Sequence, residues 1–304
     1  RHTVSKSFTL TVTARNASAV TCPNYKGTAN LTVNYTDPST SQSGSLGASS
    51  LTSTYWTNGV AEITDMTYNK WGTITITATD ATLTTQTGTS SNVIFLPKDF
   101  SISLSSAPAS RTYYYTNEGF SATVTARDYN NSTISNYAGT ISFTGSGLTL
   151  PANYTFTTTD AGSHKFTGIN GSSETSTTLS VKDTTYTSII GTSSTITLKA
   201  GTIKVISNSG PTGSISVQVK ILDSSGNVLT EDDSTTFTVT ITEFTKDNNT
   251  CTSTATSTAA TVTGGIATIT VKDTESETVT VTPSATPTMT AVSGTVRFGT
   301  VSGS

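Results

Sequence analysis

The sequence predicts an all-β protein, and three observations carry that prediction. Apolar side chains recur at every second position, threonine is the dominant residue, and no stretch shows a 3.6-residue apolar stripe. Thr is about 24% of the 304 residues and Ser plus Thr about 38%, so a β-branched residue that favours strands fills positions where charge is usual. Charged residues are only 12% and hydrophobic ones 33%, and the even spacing of the latter separates this chain from a disordered polar tract.

The alternation can be followed along the chain. In GTITITATD (72–80), Ile74, Ile76 and Ala78 share one face, and Thr73, Thr75, Thr77 and Thr79 the other. In FSATVTAR (120–127), Phe120, Ala122, Val124 and Ala126 alternate with Ser121, Thr123, Thr125 and Arg127. In SISVQVKI (214–221), Ile215, Val217, Val219 and Ile221 alternate with Ser216, Gln218 and Lys220. Such strands have one dry and one wet face. Short strands with Gly, Asn, Asp and Ser between them give a sandwich or a barrel.

The length suits two or three domains. Three stretches close in a similar way: SSNVIFLP (90–97), SSTITLKAG (193–201) and SGTVRFG (293–299). Upstream, TNGVAEITDM (57–66) and TGGIATITVK (263–272) each set a Gly turn before an alternating strand. These signals place domains at 1–99, 100–200 and 201–304. No Pro- or Ser-rich spacer separates them, so the linkers are short and the expected shape is an elongated rod of limited bending.

In the middle segment, Tyr137, Gly139 and Thr140 are followed by Leu150, Pro151, Ala152, Tyr154 and Phe156, and then by Asp160, Gly162 and Phe166. This order resembles the bacterial immunoglobulin-like (Big) repeat found in tandem in large secreted and surface proteins. The third segment resembles the invasin-like variant through VKILDSSGNVL (219–229) and GGIATITV, and the first resembles the family chiefly through GTITITATD. The resemblance implies three tandem immunoglobulin-like β-sandwiches displayed outside the cell, with no shared catalytic residue.

Asp160, Ser163 and His164 supply the letters of a hydrolase triad. Ser163 and His164 are neighbours on one strand, so their side chains point to opposite faces, whereas a nucleophile and its base must lie within about 2.6–3.2 Å. The stretch therefore reads as a turn, with Asp160 capping backbone N–H groups, Gly162 supplying the unusual dihedrals, and His164 at the edge of the core.

The rest of the chemical inventory is thin. There are two His, two Cys and two Trp, and no phosphate loop, HExxH or CxxC. Glu231, Asp232 and Asp233 read as a solvated loop. Asp80, Asp99 and Asp183 lie near the expected junctions, where calcium is the sharper alternative to plain surface charge. Cys22 and Cys251 fall in different terminal domains, too far apart for an internal bridge in a rod. They read as buried or inert thiols, with a head-to-tail link between copies as the alternative. TYYYTN (112–117) sets three Tyr in a row, so at least one is expected to face outward. The choice there is an edge strand or a platform for sugar rings. Asn30, Asn34, Asn153 and Asn170 begin Asn-x-Ser/Thr sites, at a number close to chance for this composition.

A net charge of −3 and a pI near 5.3 give no footprint for nucleic acid, and no apolar run approaches the roughly 18 residues of a membrane span. The chain starts at Arg1, so a removed signal segment or a fragment is expected. The expected function is a non-enzymatic extracellular or cell-surface stalk or adhesin segment, with no cofactor, metal or catalytic residue. Its partners would be other protein copies, cell-surface components or glycans. The alternatives are a self-assembling subunit of a filament, sheath or surface layer, and a glycan-binding accessory module.

Overall fold

The computed structural model describes residues 1–37, 44–109, 111–243 and 260–299. Among them every regular element is a strand apart from two single 3₁₀ turns. The strands pair in three sets that follow the sequence, referred to below as units one, two and three.

Unit one holds β1 (His2–Thr3), β2 (Phe8–Thr13), β3 (Ala29–Asp37), β4 (Ser50–Leu51), β5 (Trp56–Thr57), β6 (Val60–Met66), β7 (Gly72–Asp80), β8 (Thr87–Thr89) and β9 (Val93–Leu96). Unit two holds β10 (Asp99–Leu104), β11 (Tyr114–Tyr115), β12 (Phe120–Arg127), β13 (Thr140–Thr144), β14 (Tyr154–Thr155), β15 (Ser163–Ile169), β16 (Thr175–Thr177), β17 (Ser180–Asp183), β18 (Ile190–Thr192) and β19 (Ile196–Lys199). Unit three holds β20 (Thr202–Val205), β21 (Asn208–Gly210), β22 (Gly213–Leu222), β23 (Thr236–Glu243), β24 (Ala260–Thr261), β25 (Ile266–Asp273), β26 (Thr278–Thr286), β27 (Thr290–Val292) and β28 (Gly294–Phe298).

One pairing scheme recurs. The antiparallel pairs β2–β6, β12–β15 and β22–β25 form one layer, and β3–β7, β13–β17 and β23–β26 form the facing layer. The last strand of each unit runs parallel to a short early one: β1 beside β9, β11 beside β19, β21 beside β28. Two antiparallel layers joined in this order make an immunoglobulin-like sandwich. The alternation read from the sequence sets the layers' inner faces: in β12, Phe120, Ala122, Val124 and Ala126 are buried while the residues between them are not.

Two local devices repeat with the strands. After the second main strand, the side-chain oxygen of Asn16, Asp128 or Asp223 accepts backbone N–H groups two and four residues on, closing an Asx turn. Ahead of β6, β15 and β25, two consecutive residues take positive φ: Asn58–Gly59, Ala161–Gly162 and Gly264–Gly265. The second must be Gly, because a Cβ there would meet the carbonyl oxygen of Cys22, Ile134 or Leu229 at 2.2, 2.1 or 2.5 Å. The turn read at residues 160–162 is thus one of three, in line with the paired Gly turns seen in the sequence of the outer two segments.

Candidate functional site

The suspected triad does not assemble. His164 Nδ1 lies 2.6 Å from Asp160 Oδ1 and its ring stacks on Tyr154 at 4.1 Å, while the Ser163 hydroxyl bonds Thr125 at 2.7 Å on the other face of β15. Burial pushes the Asp160 carboxyl up, but the Thr157 backbone N–H, the His164 ring and the Thr157 and Tyr154 hydroxyls outweigh it and bring the group to about 2. The aspartate serves the turn and its flanking rings.

The notable chemistry lies where units meet. Tyr113, Tyr114 and Tyr115 are all buried, at 1%, 8% and 0% exposure, which corrects the expectation that one faces water. Tyr114 stacks on Phe120 and its hydroxyl bonds the Ser105 carbonyl, inside unit two. Tyr113 and Tyr115 point the other way and join the core of unit three, beside residues such as Ile203, Val219 and Phe237. A strand's second face, wet in a lone sandwich, is dry here because the next unit covers it. The three rings are a joint and no surface platform.

The same joint corrects the solvated-loop reading at Asp232, while Glu231 and Asp233 are exposed as expected. Asp232 is fully buried and accepts hydrogen bonds from the Tyr115 hydroxyl at 2.7 Å and from Thr235. Burial raises its carboxyl, yet the Thr235 and Tyr115 hydroxyls with the backbone N–H groups of Ser234 and Thr235 hold it below the usual carboxylate range. Glu231 receives the N–H and hydroxyl of Thr112. Arg111, also buried, makes a two-pronged pair with Glu118 at 2.7 and 2.9 Å and lies over the rings of Tyr113 and Tyr115. Such fork-to-fork pairing fixes orientation as well as charge.

The joint between units one and two is built from other groups. Asn136 accepts from the Trp71 N–H at 3.0 Å and donates to the Trp71 carbonyl at 2.8 Å, as a neighbouring strand would, and the Trp71 ring meets Tyr137 edge-on. Tyr129 N–H donates to the Val4 carbonyl, and the buried apolar residues of the two units form one continuous cluster.

The acids weighed as calcium ligands have other partners. Asp80 accepts from Tyr25, Asp99 pairs with Arg127, and Asp183 accepts from Tyr137. No group of three or more His, Cys, Asp or Glu is gathered among the described residues. Cys22 is a half-buried free thiol, while Cys251, and with it the proposed link between copies, lies outside the described residues.

Fold and joints together define a tandem immunoglobulin-like β-sandwich protein. More narrowly, the chain belongs to the family described as DUF6701, third domain, whose model matches residues 71–257. A comparison with curated proteins returned no match. Among solved structures the chain is similar to the Escherichia coli adhesin FdeC, at 13% identity and a TM-score of 0.43 over 98% of this chain and 94% of that one. It is similar to three N-terminal domains of the outer capsid protein Hoc of bacteriophage RB49, at 12% and 0.36 over 99% and 96%. It is also similar to invasin, a bacterial integrin-binding protein, at 14% and 0.34 over 98% of this chain and 58% of that one. At these scores the likenesses carry no argument about what the chain binds.

Proposed function

We propose that the chain is a non-catalytic mechanical segment, made of sandwich domains at 1–99, 100–200 and 201–304, that holds its ends apart outside the cell as part of a surface stalk or adhesin. The observation that carries this reading is the division of Tyr113, Tyr114 and Tyr115 between two cores. A flexible tether would leave these rings wet; here two of three side chains belong to the neighbouring unit, so bending at the joint exposes aromatic surface and takes the Tyr115 hydroxyl away from Asp232. Partners in this reading are surface components or further units at either end.

Small-angle scattering and light scattering of the purified chain test it together. The expected result is a monomer whose longest dimension matches three sandwiches in line, with a double Tyr113→Ser, Tyr115→Ser variant that bends. A compact particle, or long assemblies of the intact chain, overturns the reading.

A further inference from the structure

The sulfur of the chain is confined to Cys22, Cys251, Met66 and Met289. Met66 is 1% exposed, inside the cluster shared by units one and two. Met289 is placed differently. It lies between β26 and β27, half-buried against the core of unit three, with its chain neighbours Thr288 and Thr290 exposed.

This turn rests on the linker that joins units two and three. The Thr290 N–H donates to the Gly201 carbonyl, just ahead of β20, at 3.2 Å, and Thr290 stands opposite Thr202 where β20 and β27 run in parallel. Gly201 is buried, and a Cβ built on it would stand 2.7 Å from Tyr115 Cε1 and 3.3 Å from Met289 Sδ. No side chain fits there. The ring that unit two supplies and the sulfur that unit three supplies converge on one point of the linker. A thioether suits such a place, because it is polarizable, adapts its shape and attracts an aromatic edge.

We propose that Met289 is an oxidation site that controls the stiffness of this joint, with a peroxide as the oxidant. One oxygen atom passes from hydrogen peroxide to Sδ: the O–O bond breaks, an S–O bond forms, the sulfur gives up two electrons, and water leaves. The product is a polar sulfoxide in place of an apolar thioether. The Tyr115 hydroxyl already donates to Asp232, so a sulfoxide oxygen shut into the joint loses water without gaining that donor. Turning the side chain out to solvent satisfies the oxygen but removes the sulfur from beside Gly201. Either way the closed joint is disfavoured relative to the bent one, and the population shifts. Met66, shielded in its cluster, stays reduced, so the change falls on one joint. The inference rests on the stacked-joint reading and fails separately from it: a reduced chain that scatters as three sandwiches in line keeps that reading whatever peroxide does.

The test treats the full chain carrying Cys22→Ser and Cys251→Ser with dilute hydrogen peroxide, then compares peptide masses, small-angle scattering and amide exchange before and after. The expected result is uptake of one oxygen at Met289 at least tenfold faster than at Met66. With it come a shorter longest dimension and faster exchange at residues 113–116 and 202–205, and a methionine sulfoxide reductase reverses all of these. Met289→Leu should keep the shape of the reduced chain and ignore peroxide, whereas Met289→Gln, polar at similar length, should bend without it. Equal oxidation of the two methionines, an unchanged longest dimension once Met289 is oxidised, or the same peroxide response in Met289→Leu overturns the proposal.

Discussion

Units one and two share TVTAR, the Asx turn after it, the αL pair before the facing strand and a Tyr–Asp hydrogen bond, yet they bury these elements differently. Tyr137 is fully buried with its hydroxyl 2.7 Å from Asp183; Tyr25, at the same place in the repeat, is half-buried with its hydroxyl 2.5 Å from Asp80. Ile134 is core, and its counterpart Cys22 is half-buried. Among the described residues, β12 has β10 beside it as well as β15, whereas β2 pairs with β6. Burial in these sandwiches is therefore a property of the strand's neighbours as much as of its own pattern.

The comparison breaks most forcefully at Phe100. Its ring is 2% exposed and meets Tyr137 edge-on at 5.4 Å, closing that side of unit two. Phe100→Ala should cost about 3–5 kcal/mol, the usual loss for truncating a buried Phe. Urea unfolding followed by amide exchange, peptide by peptide, should show the loss in unit two; unchanged protection of residues 120–127 would mean that β10 does not close that core.

The paired glycines give the next largest effect. A Cβ at Gly191 would stand 2.3 Å from the Phe100 carbonyl, so Gly191→Ala forces β10 away from β18 and should destabilise by about 1–3 kcal/mol, the range for overpacking. Gly88→Ala should be neutral or slightly stabilising, because the site is open and a Gly is lost from the unfolded chain. Equal melting shifts for the two variants would show that β10 is not held against Gly191.

A third pair sharpens the same contrast. Val124→Ala removes two buried methyl groups and should cost about 2 kcal/mol, counting transfer and cavity together. Val12→Ala, at a half-buried place, should cost less than about 1 kcal/mol. Denaturant midpoints at constant m-value measure both.

The two units also show what a single sequence reveals. Period-two alternation gives the strands and their inward faces, because a lone sheet must hide one side. It also gives the Gly turn at 160–162, because few residues tolerate the positive φ there. Alternation is silent about a second dry face: Tyr113 and Tyr115 sit on positions that read as wet, and only the arrival of unit three makes them core. For the same reason Asp232, which reads as loop charge, turns out to be a buried acceptor. One signal was within reach: the doubled TVTAR at 11–15 and 123–127 aligns units one and two and marks β2 as the counterpart of β12.

The smallest expected effect concerns acid. Backbone N–H of Leu83, the Tyr25 hydroxyl and backbone N–H of Thr82 hold the Asp80 carboxyl below its ordinary range, and burial of Tyr25, reinforced by Asp80, pushes that phenol up to about 12. A carboxyl whose folded value is depressed contributes stability above its unfolded value, near 4, and the contribution is lost as pH falls through the folded value, because the unfolded chain then binds the proton more readily. Asp80→Asn should therefore lower the melting point of unit one at pH 7 and leave it nearly unchanged at pH 3, flattening its acid limb. Parallel acid limbs for the two proteins would mean that the bonds to Asp80 contribute nothing to the pH dependence of unit one.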